Sequence, residues 1–250
     1  MQSNKIRFAV FRTVIIYTWT ILATLLIGTL TIIIGYFSRT GDLPHLLARF
    51  WGRTILWVSG VRVTVKGRHN IQPDRSYIYM ANHQSNFDIP VLIAALPVQF
   101  RWLAKAELFK IPLFGGGMKG CGYISIDRSN RESAFESLKR AAETIRNGTS
   151  VLIFPEGTRS FDGRIQMFKK GGFVLTVDAG VPIVPLIIEG TGSIMPKGCK
   201  SISSGNVTLD ILPPVDSSIY DRRNKDALIE KIRRLMCNRY NQIKGQDGCA

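Results

Sequence analysis

The stretch YIYMANHQSNFDIPVLIAAL, residues 77–96, contains the change of pattern that decides the fold. Its first residues are apolar and aromatic, as in a buried strand, and residues 86–96 have the composition of a helix. The rest of the chain repeats this alternation after residue 60. The predicted strands are residues 61–67, 77–82, 100–105, 122–127, 150–156, 181–188 and 207–212, and the predicted helices are residues 86–96, 131–147, 168–179 and 222–243. Alternating strands and helices predict an α/β fold, with a mostly parallel or mixed central sheet flanked by helices.

The polar turn inside this stretch contains His83, one of three histidines in the chain, and Asp88. Ser85 and Asn86 commonly cap helix starts, so part of the turn has a purely structural explanation. Capping leaves His83 unexplained. Within one regular helix the side chains at 83 and 88 would diverge, but a histidine just before a helix can meet an aspartate in its first turn. We expect Asp88 to hold one imidazole nitrogen while the other faces the strand's carboxyl end, where α/β sheets place their sites.

A histidine oriented by a carboxylate is a general base that needs a hydroxyl or a water to act on. The sequence has no G-x-S-x-G nucleophile elbow, and no cysteine lies in a stretch that would activate it. We therefore expect the base to act on the hydroxyl of a substrate. This would be transfer of a group to an alcohol without a covalent enzyme intermediate.

A second polar turn, in SVLIFPEGTRS at residues 150–160, also follows an apolar strand. Gly157 lets backbone approach a ligand, Thr158 offers a hydroxyl, and Arg159 has a guanidinium that matches phosphate. Taken alone, the turn is more typical of a surface salt bridge. A histidine at the end of another strand of the same sheet favours an anion-binding role.

The run GGGMKG, residues 115–120, matches G-x-G-x-x-G but lacks the context of a dinucleotide fingerprint. Pro112 interrupts the preceding segment, and the acidic residue expected about 20 positions later would fall in helix 131–147. We expect a flexible loop beside the site.

The chain of 250 residues is 45% hydrophobic and carries a net charge of +15. Such a charge indicates an anionic partner: nucleic acid, a membrane surface or an acidic substrate. Residues 14–37 contain no charged side chain. As a helix they would be roughly 36 Å long at about 1.5 Å per residue, enough to cross a bilayer. Together with the lack of any recognisable nucleic-acid module, this run favours a membrane and argues against nucleic acid.

The orientation of this apolar helix is open, because basic residues flank it on both sides. It spans the membrane once, or it bends near Gly28 and returns with both ends on the cytoplasmic face; the balanced flanks favour the return. Residues 43–60 follow as an amphipathic helix. That helix lies in the headgroup region, packs on the soluble domain, or does both. The four cysteines show no metal-ligand spacing, and we expect them to be reduced.

The stretches NHQSNFD and FPEGTRS, with KAELFKIPLFGGGMKGCGYISIDR (105–128) between them and VPIVPLII after them, resemble the glycerolipid acyltransferases that act on lysophosphatidate. The resemblance covers roughly residues 60–215 and implies a catalytic pair, His83 and Asp88. It also implies an apolar wall around Pro182 and Pro185 that lines acyl-chain space. The residues implied to bind the acceptor and its phosphate are Glu156, Gly157, Thr158, Arg159, Lys105 and Arg128.

The resemblance implies transfer of a fatty acyl group from acyl carrier protein or coenzyme A to the free hydroxyl of 1-acyl-glycerol-3-phosphate. It implies no bound cofactor and no metal, since the thioester is already activated. The expected organisation is a membrane-anchoring segment at 1–60 and an acyltransferase domain at 61–250 on the cytoplasmic face. Other lysophospholipid or lipid acceptors remain open, as does a catalytically silent lipid-binding protein, although such a protein has no need of both His83 and Asp88.

Overall fold

The computed structural model describes residues 2–127, 130–245 and 248–250. The strands are β1 (Val61–Lys66), β2 (Ile78–Ala81), β3 (Arg101–Lys105), β4 (Ile124–Ile126), β5 (Val151–Ile153), β6 (Ile183–Glu189) and β7 (Gly205–Ile211). The α-helices are α1 (Gln2–Phe37), α2 (Asp42–Val58), α3 (Asp88–Ala95), α4 (Phe114–Gly120), α5 (Arg131–Arg146), α6 (Lys170–Ala179), α7 (Thr191–Ile194) and α8 (Lys225–Lys244). Each predicted strand and helix overlaps one of these elements.

The strands form one mixed sheet in the order β1-β7-β6-β2-β5-β3-β4. The described neighbours pair in parallel, except β6 with β7. Because β2, β5 and β3 run in the same direction, their carboxyl ends meet at one edge of the sheet. His83, the FPEGTR turn and Lys105 all follow or end these strands, so the topology brings them together. The predicted α/β fold with a central sheet between helices is confirmed.

Helices cover both faces of the sheet because strand side chains alternate in direction. Tyr79 of β2 packs in a buried cluster with residues of α2 and α3, such as Leu56 and Val91. Its neighbours Ile78 and Met80 face the other cluster, which α5, α6 and α8 complete. The chain is therefore a three-layer α/β domain with α1 added outside.

Helix α1 is continuous across Gly28, so the predicted bend there is wrong. A single glycine keeps its backbone N–H, and the segment contains no proline that would break the helical hydrogen bonds. The chain instead reverses at residues 38–41 and returns as α2, which packs against α1. Among the described residues, Arg7–Phe37 is the one helix long and apolar enough to cross a membrane, and most of its surface is exposed.

The first half of α1 is fastened to the loop before β7 by polar contacts. The Arg12 guanidinium donates to the Ile202 carbonyl at 2.7 Å, and the Ile202 N–H donates to the Thr13 hydroxyl at 3.1 Å. The Tyr17 hydroxyl donates to the Lys200 carbonyl at 3.1 Å. These bonds hold the first half of α1 against the domain.

The glycine run that was expected to be a flexible loop forms α4 and packs on the second half of α1. A Cβ at Gly35 would lie 2.5 Å from the Gly120 Cα, and a Cβ at Gly120 would lie 2.8 Å from the Thr31 carbonyl oxygen. Glycine is needed where two backbones approach this closely. The loop prediction failed because the sequence does not show that α1 lies there to hold the glycines in a helix.

The expectation that the cysteines are all reduced is wrong for one pair. After α8 the chain turns at Gly245, which has a φ of 67°, and folds back on the helix. This brings Cys249 to Cys237, with a Cα–Cα distance of 5.8 Å, and the two form a disulfide. Cys121 and Cys199 are free thiols.

Two alanine substitutions on α1 test its close packing against α4. Gly28→Ala should leave the melting temperature unchanged or raise it, because the nearest atom to its Cβ lies at 3.9 Å and alanine is favoured over glycine in helices by roughly 0.5–1 kcal/mol. Gly35→Ala should destabilise the protein by about 1–3 kcal/mol, because its Cβ forces the two backbones apart. Thermal unfolding of the detergent-solubilised protein measures both. Equal melting temperatures for the two variants would contradict the close contact.

Candidate active site

His83 and Asp88 meet at the carboxyl end of β2, as the sequence predicts. The His83 Nδ1 lies 2.8 Å from the Asp88 Oδ2. The same carboxylate oxygen accepts backbone N–H groups of Gln84 at 2.7 Å and Ser85 at 2.9 Å. Asp88 is fully buried. The two backbone N–H groups therefore fix the position of its carboxylate relative to the imidazole.

The chain entering this turn is anchored by Asn82. Its side chain donates to the Ile188 carbonyl at 2.9 Å and accepts the Ile188 N–H at 2.7 Å. A buried side-chain amide thus continues the pairing of β2 with β6 where the backbone has begun to turn. This contact holds the residue before His83 to the centre of the sheet.

The helix start differs in detail from the expected cap. The residue preceding α3 is Phe87, which makes no side-chain capping bond. The Ser85 hydroxyl accepts the Phe87 N–H at 3.1 Å and donates to the Met195 carbonyl at 2.8 Å. Asn86 makes no cap; it is exposed and lines the cavity beside His83. Asp88 has taken over the role of accepting free N–H groups, which orients it toward the histidine.

Glu156 connects the two polar turns from beneath the site. It is 2% exposed; its Oε1 accepts the His83 backbone N–H at 2.7 Å and its Oε2 accepts the Gln166 N–H at 2.8 Å. Burial raises the pKa of Glu156 to about 7, although both hydrogen bonds act to lower the pKa. The family resemblance implies that Glu156 binds the acceptor phosphate, but its carboxylate accepts the His83 backbone N–H, and Glu156 does not line the cavity.

A cavity of about 540 Å³ opens beside His83 and brings most of the predicted site residues together. Its polar end is lined by His83, Lys105, Gly157, Thr158 and Arg159. The rest is mainly apolar and lies among α1, α2, α3, α4 and β3. The position of Arg159 is secured by Lys197, whose ammonium donates to the Arg159 carbonyl at 2.6 Å.

Two predicted site features have a different outcome. The run around Pro182 and Pro185 forms the start of β6, is buried inside the sheet, and contributes no described residue to the cavity. Arg128 lies outside the described residues. Within the described part of the chain, no group of three or more His, Cys, Asp or Glu side chains is arranged to hold a metal ion.

Sequence reasoning missed three contributors to the site. Phe154 stacks on the His83 ring, Lys197 holds Arg159, and Thr24, Gly28 and Thr31 of α1 line the cavity. Phe154 carried a usable signal, because it follows a buried strand directly before the polar turn. The contacts of Lys197 and α1 join segments far apart in sequence, and no local pattern marks them.

A histidine held by a buried carboxylate, beside cations and an apolar cavity at the edge of an α/β sheet, is an arrangement typical of enzymes that act on anionic, apolar substrates. Residues 62–189 match the family model described as Acyltransferase. The chain belongs to this acyltransferase family.

Curated relatives and a solved structure are similar over most of the chain. The chloroplastic 1-acyl-sn-glycerol-3-phosphate acyltransferase LPAT1 of Arabidopsis thaliana is 37% identical over 71% of this chain and 50% of its own length. The alpha form from Homo sapiens is 32% identical over 76% of this chain and 67% of its own. The chain thus spans about half of the plant relative. The crystal structure of the LPA acyltransferase PlsC from Thermotoga maritima matches with a TM-score of 0.81 and 28% identity, covering 97% of this chain and 98% of that one.

The proton on Glu156 should make stability depend on pH. Its folded pKa of about 7 exceeds its ordinary value of 4.5, so the folded protein binds a proton that the unfolded chain releases between these values. The resulting stabilisation is full below pH 4.5 and is lost as the pH rises through about 7. The unfolding free energy of the wild type relative to Glu156→Gln should therefore fall from about pH 5 to about pH 7 and then level off.

Chemical denaturation at a series of pH values measures this difference. Glu136→Gln, on the exposed surface of α5, is the matched control for removing one carboxyl. If the unfolding free energy of the wild type relative to Glu156→Gln rises with pH across this window, the raised pKa of Glu156 is contradicted.

Proposed function

We propose that this protein transfers a fatty acyl group from an acyl thioester to the free 2-hydroxyl of 1-acyl-glycerol-3-phosphate, giving phosphatidate for phospholipid synthesis. The observation that carries the proposal is the His83–Asp88 pair at the polar end of an apolar cavity, next to Lys105 and Arg159. A lysophosphatidate has groups that match these three features: a hydroxyl for the histidine, a phosphate for the cations, and an acyl chain for the apolar cavity. The names of the curated relatives and of the solved PlsC structure support the same acceptor.

His83 acts as the general base. Its Nδ1 is held by Asp88, and among the described residues its Nε2 has no hydrogen-bond partner while the ring lines the cavity. Nε2 takes the proton of the acceptor hydroxyl as that oxygen attacks the thioester carbonyl. The C–S bond then breaks, and the departing thiolate receives the proton from the imidazolium. Asp88 fixes the tautomer and stabilises the cationic ring between these steps.

The acceptor phosphate binds at the turn that follows β5. Arg159 offers a planar guanidinium, Thr158 offers a hydroxyl, and Gly157, with a φ of 73°, shapes the turn without a side chain. Lys105 lies exposed at the end of β3 on the same cavity and supplies a further positive charge. Glu156 supports the turn and His83 from below. A contact from Arg128 rests on the family resemblance alone.

The apolar part of the cavity accommodates an acyl chain. Its volume of about 540 Å³ lies within the range of about 300–1,000 Å³ typical of ligand pockets. Acyl carrier protein or coenzyme A presents the donor thioester, and the reaction needs no bound cofactor or metal because the thioester is already activated. Backbone amides at the site stabilise the oxyanion of the tetrahedral intermediate.

We further propose that residues 1–60 anchor the acyltransferase domain, residues 61–250, to one leaflet on the cytoplasmic face. The domain holds α1 at Arg12 and again at Gly35, positions about 35 Å apart along a helix at about 1.5 Å per residue. This exceeds the roughly 30 Å of a bilayer's hydrocarbon core. A perpendicular α1 would therefore draw the polar domain into the membrane, whereas an α1 lying along the surface buries its exposed apolar face in lipid.

Replacing the proposed base should abolish turnover without unfolding the protein. We expect His83→Ala to lower kcat by about 10²–10⁴-fold with the melting temperature and the KM for lysophosphatidate nearly unchanged. Conversion of radiolabelled lysophosphatidate to phosphatidate by the detergent-solubilised enzyme measures both constants. The matched control is His69→Ala, at an exposed position in the turn after β1. A folded His83→Ala enzyme with substantial residual turnover would reject His83 as the base.

A further inference from the structure

The ring of Phe154 lies flat against the imidazole of His83. Their centroids are 3.8 Å apart and their planes differ by 9°. Phe154 also contacts Trp102. Their ring centroids are 5.3 Å apart and their ring planes differ by 31°. Trp102 is 4% exposed, so it cannot readily move away. Phe154 therefore lies between the buried Trp102, against which it is tilted, and the His83 imidazole, on which it stacks.

The bond to Asp88 alone does not fix the direction of Nε2. It holds the imidazole at one atom, Nδ1, and leaves the ring free to tilt about that hydrogen bond. The torsion that orients an imidazole has broad minima, so the side chain's own preference does not prevent the tilt. A flat surface against one face of the ring does prevent it.

We propose that Phe154 is a positioning residue for His83, a role that rests on the function proposed for this site. Asp88 sets the position of Nδ1, and the Phe154 face sets the plane of the imidazole, so that together they aim Nε2 at the acceptor hydroxyl. Proton transfer requires the two heavy atoms to lie within about 2.6–3.2 Å, and small errors of orientation lower the rate steeply.

The stack also explains an aromatic residue at the start of the FPEGTR turn. Phe154 lines the cavity, but a leucine or methionine would serve equally well as an apolar wall. What these side chains lack is a flat face parallel to an imidazole. The distinction between wall and positioning surface can therefore be tested by changing shape while keeping apolar volume.

The kinetic experiment compares Phe154→Leu and Phe154→Met, which lose the flat face, with Phe154→Tyr, which keeps it. Phe135→Leu makes the same change on the partly exposed surface of α5 and is the matched control. We expect the leucine and methionine variants to lose about tenfold in kcat, with the KM for lysophosphatidate within about twofold of wild type. Phe154→Tyr should recover most of the rate, and Phe135→Leu should match wild type.

Proton NMR of the solubilised, histidine-labelled protein gives a readout that a wall residue would not affect. The chain has only three histidines, and His83→Ala identifies the His83 signals by their loss. Ring protons beneath an aromatic face are shifted upfield. The His83 signals should be upfield in the wild type and Phe154→Tyr, and should move downfield in Phe154→Leu and Phe154→Met.

The results separate this inference from the function on which it rests. If His83→Ala is inactive but both Phe154→Leu and Phe154→Met keep wild-type kcat, the positioning role is overturned and the base stands. Equal losses in the leucine, methionine and tyrosine variants also overturn it, because rescue by an aromatic ring is then absent. If His83→Ala keeps its activity, the proposed base itself fails. Loss of kcat confined to the leucine and methionine variants, with the downfield shift, supports Phe154 as the positioning surface.

Discussion

The contact between the Asp88 carboxylate and the His83 imidazole is the interaction on which the rest of the site depends. It forms because β2 ends at Ala81 and α3 begins at Asp88, and the chain between them folds back in a short turn. Asp88 is buried and accepts two backbone N–H groups besides the imidazole. A charged group can be kept in such a place only with this degree of hydrogen bonding, and the turn supplies it from its own backbone.

Further hydrogen bonds connect the His83 turn with the FPEGTR turn and Arg159. Glu156 joins the backbone of His83 to the segment that follows the FPEGTR turn. Lys197 fixes the carbonyl of Arg159 from another loop. Hydrogen bonds therefore hold the segments that carry His83 and Arg159 at the same edge of the sheet. The helices around the cavity complete the arrangement by lining its apolar part.

Local patterns in the sequence were sufficient for the strands, for most of the helices, and for the pairing of His83 with Asp88. The pairing could be predicted because both residues belong to one short turn. Predictions failed where a distant segment decides the outcome. The glycines of α4 are helical because α1 lies against them, Cys249 meets Cys237 because the tail folds back on α8, and the proline-containing β6 is an inner strand rather than a cavity wall. The resemblance assigned Glu156 to the acceptor phosphate, whereas it is buried and accepts two backbone N–H groups.

The central claim is that this site uses a phosphate to place a lysophospholipid hydroxyl at His83. The most direct measurement is acyl transfer by the purified protein to lysophosphatidate and to lysophosphatidylcholine, with acyl-CoA and acyl carrier protein as donors, in the wild type and in Arg159→Ala. We expect rapid formation of phosphatidate, little transfer to lysophosphatidylcholine, and a raised KM for lysophosphatidate in Arg159→Ala. Equal transfer to both acceptors, or a loss in Arg159→Ala confined to kcat, would contradict the account.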